Sequence, residues 1–209
     1  MLDSSTILLI IIVIVSIQSW NKSTLLNKLV FSPYKVSNEN EWYRFITSGF
    51  VHADYGHLIF NSLSLYFFSS NLLNAFKSDY LFGAYGDFAF ISLFILGVII
   101  SDVPSYIKFK NDPYYSSLGA SGGVSSVIFA SIFIFPTSKI SLLFIPIGIP
   151  AFLFGILYLT YCYYMAEKSH DRINHSAHFI GSLFGILFLA LIKPSLIQDF
   201  IESIKLWSL

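Results

Sequence analysis

Six long apolar stretches constrain the fold of this chain more than any other feature of its sequence. They cover residues 5–20, 57–76, 81–101, 121–136, 142–165 and 176–193. A helix needs about 20 apolar residues to cross a bilayer, and only helices and closed barrels satisfy their backbone hydrogen bonds inside lipid. The pattern therefore predicts an all-α membrane protein with six transmembrane helices, forming a single membrane domain over residues 1–209.

The composition supports a membrane location and excludes some partners. Apolar residues make up 55% of the chain and charged residues only 11%, which is too few charges for an ordinary soluble domain. The 12 basic and 12 acidic residues balance, so we expect the lipid bilayer as a partner and no nucleic acid. The first stretch lacks a basic start and a cleavage site, which indicates a retained span. The single cysteine, Cys162, is interpreted as a small buried hydrophobe.

A small-residue run, Gly119-Ala120-Ser121-Gly122-Gly123, opens the fourth apolar stretch. A serine between such residues is accessible to a substrate backbone, although the same composition is common where membrane helices simply pack together. This stretch is short for a full span, so its first residue would lie below the membrane surface. Non-helical backbone at that depth is tolerated only beside a water-filled cavity. Ser121 is therefore a candidate nucleophile in contact with water.

A second small-residue pattern begins at His178 in the sixth stretch. His178, Gly181 and Gly185 share one face of a helix, and paired glycines let a neighbouring backbone approach closely. If this face packs on the fourth stretch, His178 lies level with Ser121 and can act as its general base. The alternative is a histidine that only forms an interhelical hydrogen bond.

Polar residues at the start of the second stretch supply possible oxyanion donors. His57 and Asn61 are four residues apart, so both point the same way on a helix. Acyl transfer needs hydrogen-bond donors directed at the oxygen that becomes negative. We interpret His57, Asn61 and the Ser121 backbone N–H as these donors. His52 lies off that face and is interpreted as a structural residue of the loop.

These motifs, in this order, resemble those of the rhomboid intramembrane serine proteases. The matching segments are Trp42-Tyr43-Arg44, the set His52, His57 and Asn61, Gly119-Ala120-Ser121-Gly122, and Ala177 to Gly185. The resemblance implies a six-transmembrane-helix rhomboid bundle with Ser121 as nucleophile and His178 as base, and no cofactor or metal ligand. Some rhomboids carry a tyrosine one turn after the nucleophile that stacks on the histidine, whereas this chain has Ser125 there. The residues expected to be structural near the site are His52, Gly119, Gly122, Gly181, Gly185, Trp42 and Arg44.

The resemblance also implies a substrate class and an orientation. We expect single-span membrane proteins as substrates, cleaved in or near their transmembrane segments, with substrates approaching beside the fifth stretch. Basic residues do not settle the orientation by the positive-inside rule, but the family opens its site to the extracytoplasmic side. We expect the plasma (inner) membrane of a bacterium as the location, with an organelle membrane as the alternative.

Three other functions remain possible at this stage. A catalytically silent rhomboid-like protein would keep the fold and bind transmembrane helices. A metal-dependent hydrolase would use histidines with Asp54, but the zinc-protease His-Glu-x-x-His pattern does not occur in the sequence. A transporter would predict a deep acidic residue or an internal repeat, and neither is evident. The histidines of the metal alternative are His52, His57, His170, His175 and His178.

Overall fold

The computed structural model describes residues 2–141, 148–168 and 173–207, and these parts of the chain are mostly helical. The helices are α1 Ser4–Asn21, α2 Ser23–Leu29, α3 Pro33–Glu39, α4 Arg44–Thr47, α5 Tyr55–Phe76, α6 Gly86–Phe109, α7 Ser121–Ile134, α8 Ala151–Lys168, α9 His175–Ile192 and α10 Ser195–Trp207. Two short 3₁₀ helices, Ser48–Phe50 and Gly83–Tyr85, and two short strands, β1 Lys139–Ser141 and β2 Gly148–Pro150, complete the described elements.

Three of the described helical segments are long and apolar enough to cross a membrane. These are Ser4–Asn21, Gly83–Phe109 and His175–Ile192. The chain is therefore a membrane protein. Each of the six predicted stretches overlaps a helix, but the count of six transmembrane spans stays a prediction.

Two helices differ from their predicted bounds. α8 begins at Ala151 instead of residue 142, because β1 pairs antiparallel with β2 and Ile140 lies opposite Ile149. Residues 142–147 of the predicted helix lie outside the described residues. α6 begins at Gly86 instead of residue 81 and continues to Phe109 beyond the predicted end at 101. The extension is possible because its polar residues have partners: Asp102, for example, accepts a hydrogen bond from the Ser48 hydroxyl at 3.3 Å.

The long polar segment between α1 and α5 folds into three short helices around one buried arginine. The side chain of Arg44 is 2% exposed and donates to the carbonyl oxygens of Asn27 and Val30 at 2.9 and 2.7 Å. It also forms an ion pair with Glu41 at 2.6 Å, and this hydrogen bond lowers the pKa of the Glu41 carboxyl. Arg44 therefore joins α2 to α4 through bonds that satisfy its buried charge.

The carboxyl-terminal helix α10 was not predicted from the sequence. It is amphipathic, and its aromatic residue Phe200 contacts Phe133 of α7 with ring centroids 5.3 Å apart. On its polar side Asp199 accepts a hydrogen bond from the Tyr80 hydroxyl at 2.6 Å. Its mixture of charged and apolar residues has no continuous hydrophobic run, so a search for spans overlooks it.

Helix α7 lies at the centre of the bundle and packs against α5, α6, α8 and α9. Most of its 14 residues are buried. At a rise of 1.5 Å per residue it is about 21 Å long, which is shorter than the hydrocarbon core of about 30 Å. If α7 crosses the membrane as the sequence predicts, one of its ends lies inside the membrane profile.

Glycines bring the backbones of α7 and α9 into direct contact. A Cβ atom added to Gly181 would lie 3.0 Å from the carbonyl carbon of Gly122, and one added to Gly185 would lie 2.9 Å from Cα of Ser126. The Ser126 hydroxyl lies 2.9 Å from both the Gly122 and the Gly181 carbonyl oxygens. Only glycine permits this separation, so the two helices are fixed relative to each other at two successive turns.

The buried side chain of His52 connects α1 with the segment that leads into α7. Its Nδ1 lies 2.9 Å from the Ser16 hydroxyl, which donates to the Phe50 carbonyl at 3.0 Å. The Ala120 N–H donates to its Nε2 at 3.4 Å. The Ser16 hydroxyl donates its hydrogen bond to the Phe50 carbonyl, so its oxygen is free to accept one from His52. A neutral His52 ring with its proton on Nδ1 can therefore donate to Ser16 and accept from the Ala120 N–H through Nε2. Burial, with a smaller effect from His57, lowers the pKa of His52 from 6.5 to about 3.

We predict that Gly185→Ala destabilises the protein. The added methyl group would meet the α7 backbone at Ser126, which cannot move aside as a flexible side chain can, and overpacking of this kind costs about 1–3 kcal/mol. Gly155→Ala in α8 is the matched control, because its nearest neighbour would be 3.5 Å away. Thermal unfolding of both variants in detergent measures the difference. Equal melting temperatures for Gly185→Ala and wild type would refute the close contact.

We further predict that His52 contributes to the loss of stability in acid. Its pKa is about 3 in the folded protein and 6.5 without burial, so the unfolded chain takes up the proton first. The contribution is complete above pH 6.5 and decreases as the pH falls towards 3. In His52→Gln the melting temperature should fall less between about pH 7.5 and about pH 4.5 than in wild type. An equal fall in both proteins would contradict this role.

Candidate active site

One large cleft brings together the four residues that the sequence suggested for chemistry. Its volume is about 1040 Å³, and Ser121, His178, His57 and Asn61 all line it. The walls come from α5, α6, α7, α8 and α9 together with the segment before α7. Such a cleft is large enough to admit water and an extended piece of polypeptide.

Ser121 is the first residue of α7, and the backbone before it is shaped by a glycine. Gly119 has φ +126°, a conformation that side chains rarely adopt. A Cβ atom on this residue would lie 2.6 Å from Cε1 and 2.8 Å from Nε2 of His57. Gly119 therefore allows the His57 ring to pack directly against the turn that presents Ser121.

The register of α7 and α9 brings His178 close to the level of Ser121. Gly181 lies against Gly122, and Gly185, one turn later, lies against Ser126, so the two helices run parallel and in step. Extended by three residues towards the amino terminus, the same register puts His178 beside Gly119, two residues before Ser121. Both side chains also line the same cleft, which is the arrangement that a serine and its general base require.

Tyr158 of α8 provides the partner of His178 that the sequence analysis missed. Its hydroxyl lies 3.3 Å from His178 Nδ1, and it also lines the cleft. When the tyrosine oxygen accepts a hydrogen bond from Nδ1–H, the proton of the neutral ring stays on Nδ1. The other nitrogen, Nε2, then keeps the lone pair that can take up a proton. The spacing Gly155, Tyr158 and Cys162 repeats that of His178, Gly181 and Gly185, and this repeat could have identified the inward face of α8.

His57 and Asn61 lie on the opposite wall of the cleft, at the start of α5. Asp54 caps this helix by accepting the His57 backbone N–H at 2.8 Å. The Asn61 amide is buried and donates one hydrogen bond to the His57 carbonyl at 3.1 Å. A primary amide carries a second N–H, which is the one available to an oxyanion in the cleft.

A small cavity lies behind Ser121. Its volume of about 20 Å³ matches roughly one water molecule. Ser101, Asp102 and Ser117 line it with polar atoms, next to Gly119 and Ser121. A water held there would be adjacent to the candidate nucleophile.

The remaining site residues named from the sequence lie outside the large cleft. Trp42 and Arg44 belong to the polar segment between α1 and α5, where Trp42 packs against Tyr106 with ring centroids 5.7 Å apart. His52 lies behind the turn at Ala120. The glycines of α7 and α9 are at the helix contact. The residues in this group are Trp42, Arg44, His52, Gly119, Gly122, Gly181 and Gly185.

The described residues also bring together one group that could bind a metal ion. Ligand atoms of Cys162, His175 and His178 all lie within 4.8 Å of one another. This set shares His175 and His178 with the metal-hydrolase alternative but has Cys162 in place of its other residues. One of those, His170, lies outside the described residues. The sequence analysis treated Cys162 as a hydrophobe and did not find this group.

Comparison with known proteins identifies the family. Residues 39–195 match the Rhomboid domain. RHOMBOID-like protein 12, mitochondrial, of Arabidopsis thaliana is 30% identical over 154 residues, which cover 71% of this chain and 46% of that protein. Presenilin-associated rhomboid-like protein, mitochondrial, of Homo sapiens is 27% identical over 169 residues, covering 78% of this chain and 41% of that protein. The chain thus spans less than half the length of these curated relatives. Because the domain match covers most of its residues, the chain belongs to the rhomboid family.

Proposed function

We propose that this chain is an intramembrane serine endopeptidase that hydrolyses peptide bonds with a dyad of Ser121 and His178. The observation that supports the proposal is the in-step contact of α7 and α9, whose register brings His178 close to the level of Ser121, with both residues lining a single cleft. Membership of the rhomboid family supports it. The chemistry needs these two groups in hydrogen-bond reach, about 2.6–3.2 Å, when substrate is bound.

The first step is attack by Ser121 on the scissile carbonyl. His178 Nε2 accepts the serine proton as the oxygen bonds to the carbonyl carbon, and the same proton then passes to the leaving amine. The imidazolium formed in between donates from Nδ1 to the Tyr158 oxygen, 3.3 Å away. The product of this step is an acyl-enzyme, which water hydrolyses by the same sequence in reverse.

Charge on the carbonyl oxygen is stabilised by donors around the cleft. We assign this role to His57, Asn61 and the Ser121 backbone N–H, because all three residues line the cleft. Each such donor contributes about 10²–10³ in rate. The water-sized cavity beside Ser121 provides a place for the hydrolytic water close to the acyl group.

Single-span membrane proteins are the proposed substrates, because the cleft opens beside helices that present apolar surfaces to lipid. α8, which forms one wall, exposes Ile156 and Leu157 on its outer side at 59% and 56%. A substrate helix must unwind to bring its carbonyl into the cleft, and residues with low helix propensity make this easier.

We place the cleft on the extracytoplasmic side of the membrane, as the family resemblance implies. The relatives named above are called mitochondrial, which does not fit the expected bacterial plasma membrane and fits the organelle alternative. Their names therefore favour an organelle membrane as the location to test first.

A rhomboid-like protein that binds transmembrane helices without cleaving them is the second candidate. The names of the relatives state a family and no reaction, so family membership fits both functions. The two candidates differ in one measurable property, which is the reactivity of Ser121.

We predict that a fluorophosphonate labels the wild-type protein and does not label Ser121→Ala. Activation by His178 makes this serine nucleophilic, so His178→Ala should reduce labelling and cleavage of a single-span substrate by about 10²–10⁴-fold. Ser125→Ala is the matched control, since Ser125 is buried in the same cleft one turn later on α7, and it should retain labelling. Equal labelling of Ser121→Ala and wild type would exclude the dyad.

We also predict that Tyr158→Phe lowers kcat about tenfold and leaves KM unchanged. The hydroxyl is a positioning group that selects the ring proton on Nδ1 of His178, and loss of such an outer partner costs about 10–100-fold in comparable imidazole sites. Tyr161→Phe is the control, because Tyr161 contacts His175 with ring centroids 5.5 Å apart. In a His178→Ala background, Tyr158→Phe should have no further effect on residual cleavage, and an undiminished effect there would show that Tyr158 acts elsewhere.

A further inference from the structure

We infer that Cys162, His175 and His178 form an inhibitory zinc site that shares the catalytic histidine. The inference rests on the proposed function, because His178 is the general base of that mechanism. The three ligand atoms lie within 4.8 Å of one another. Two of the residues, Cys162 and His175, have no part in the proposed chemistry of Ser121.

The elements around the group direct its members towards one point. His175 and His178 are three residues apart at the start of α9, so both project from the same face of that helix. Cys162 comes from the adjacent helix α8 and is fully buried. The two histidines line the cleft, so an ion can reach the group from water while the thiol approaches from the protein side.

The ligand chemistry favours zinc over the hard cations of the cell. Thiolate and imidazole are the ligands that Zn²⁺ prefers, at about 2.3 Å for sulfur and about 2.0–2.1 Å for nitrogen. A tetrahedral ion at these distances separates its ligand atoms by about 3.3–3.7 Å. The observed separation of at most 4.8 Å therefore needs a closure of about 1 Å, within the reach of side-chain rotation. Water from the cleft can occupy the fourth position.

Metal binding releases one proton, from the Cys162 thiol, and prevents His178 from acting as a base. The Cys162 thiol releases its proton to solvent and binds as thiolate, while each neutral imidazole contributes its one lone pair. A neutral imidazole has a single acceptor nitrogen. When the metal occupies it, the other nitrogen of His178 carries a proton and can no longer accept one from Ser121. Inhibition follows whichever ring nitrogen binds the ion.

Cobalt binding to the Ser121→Ala protein tests the site without using activity. Co²⁺ replaces Zn²⁺ and gives a thiolate-to-metal absorption band, which here can come only from Cys162, the single cysteine of the chain. We expect the band in Ser121→Ala, its loss in Ser121→Ala/Cys162→Ala, and its retention in Ser121→Ala/His57→Ala, a control histidine outside the group. Absence of the band in folded Ser121→Ala protein overturns the proposal, even if wild type proves to be a protease.

Inhibition of cleavage tests the functional consequence. Zn²⁺ should inhibit wild type reversibly, with activity restored by a chelator, whereas Mg²⁺ should have no effect because it prefers oxygen ligands. In Cys162→Ala, and separately in His175→Gln, basal cleavage should persist, with the half-inhibitory Zn²⁺ concentration at least about tenfold higher, since loss of outer-shell partners alone costs about 10–100-fold. Equal inhibition of wild type and both variants overturns the proposal. If no Ser121-dependent cleavage is found, the proposed function fails while the cobalt band still reports the site.

Discussion

The backbone contact between α7 and α9 is the interaction on which the rest of this structure depends. Between helices in lipid there is little hydrophobic driving force, so packing and hydrogen bonds must hold them together. Gly181 and Gly185 supply the packing, and the Ser126 hydroxyl, 2.9 Å from carbonyl oxygens of both helices, supplies the hydrogen bond. Because the contact repeats at two successive turns, it also fixes the helical register, and the register sets the depth of Ser121 and His178.

Because α7 is short, the backbone that leads into it needs hydrogen-bond partners, and polar groups from other segments provide them. The sequence predicts that the first residue of α7 lies below the membrane surface, and at that depth the backbone leading to it would need hydrogen-bond partners that lipid does not offer. The chain provides them from a distance in sequence: His52 accepts the Ala120 N–H, and the Ser48 carbonyl accepts the Gly119 N–H at 3.0 Å. A turn held in this way presents Ser121 in one orientation before any substrate arrives.

The sequence predicts features that depend on local pattern and misses those that depend on rotation and pairing. Apolar runs located the helices, and the glycine spacing at Gly181 and Gly185 correctly indicated a face that allows close approach. Tyr158 was missed because α8 carries several tyrosines, and only the packing of that helix decides which of them faces His178. The strands β1 and β2 and the amphipathic α10 were missed for a related reason, since their stability comes from pairing or from tertiary contacts.

The surroundings of His178 combine two requirements that compete for the same lone pair. The proposed catalysis needs a neutral His178 ring whose Nδ1–H donates a hydrogen bond to Tyr158 and whose Nε2 lone pair can accept the serine proton. In the metal site that we infer, the nearby thiol of Cys162 and imidazole of His175 would hold a metal ion on that ring instead. Both arrangements use partners from α8, which also forms a wall of the cleft, so both require this helix to lie against α9. A substrate that displaces α8 would move Tyr158 and Cys162 away from His178 together. Such a movement would release a bound metal ion and would also remove the partner that orients the His178 ring.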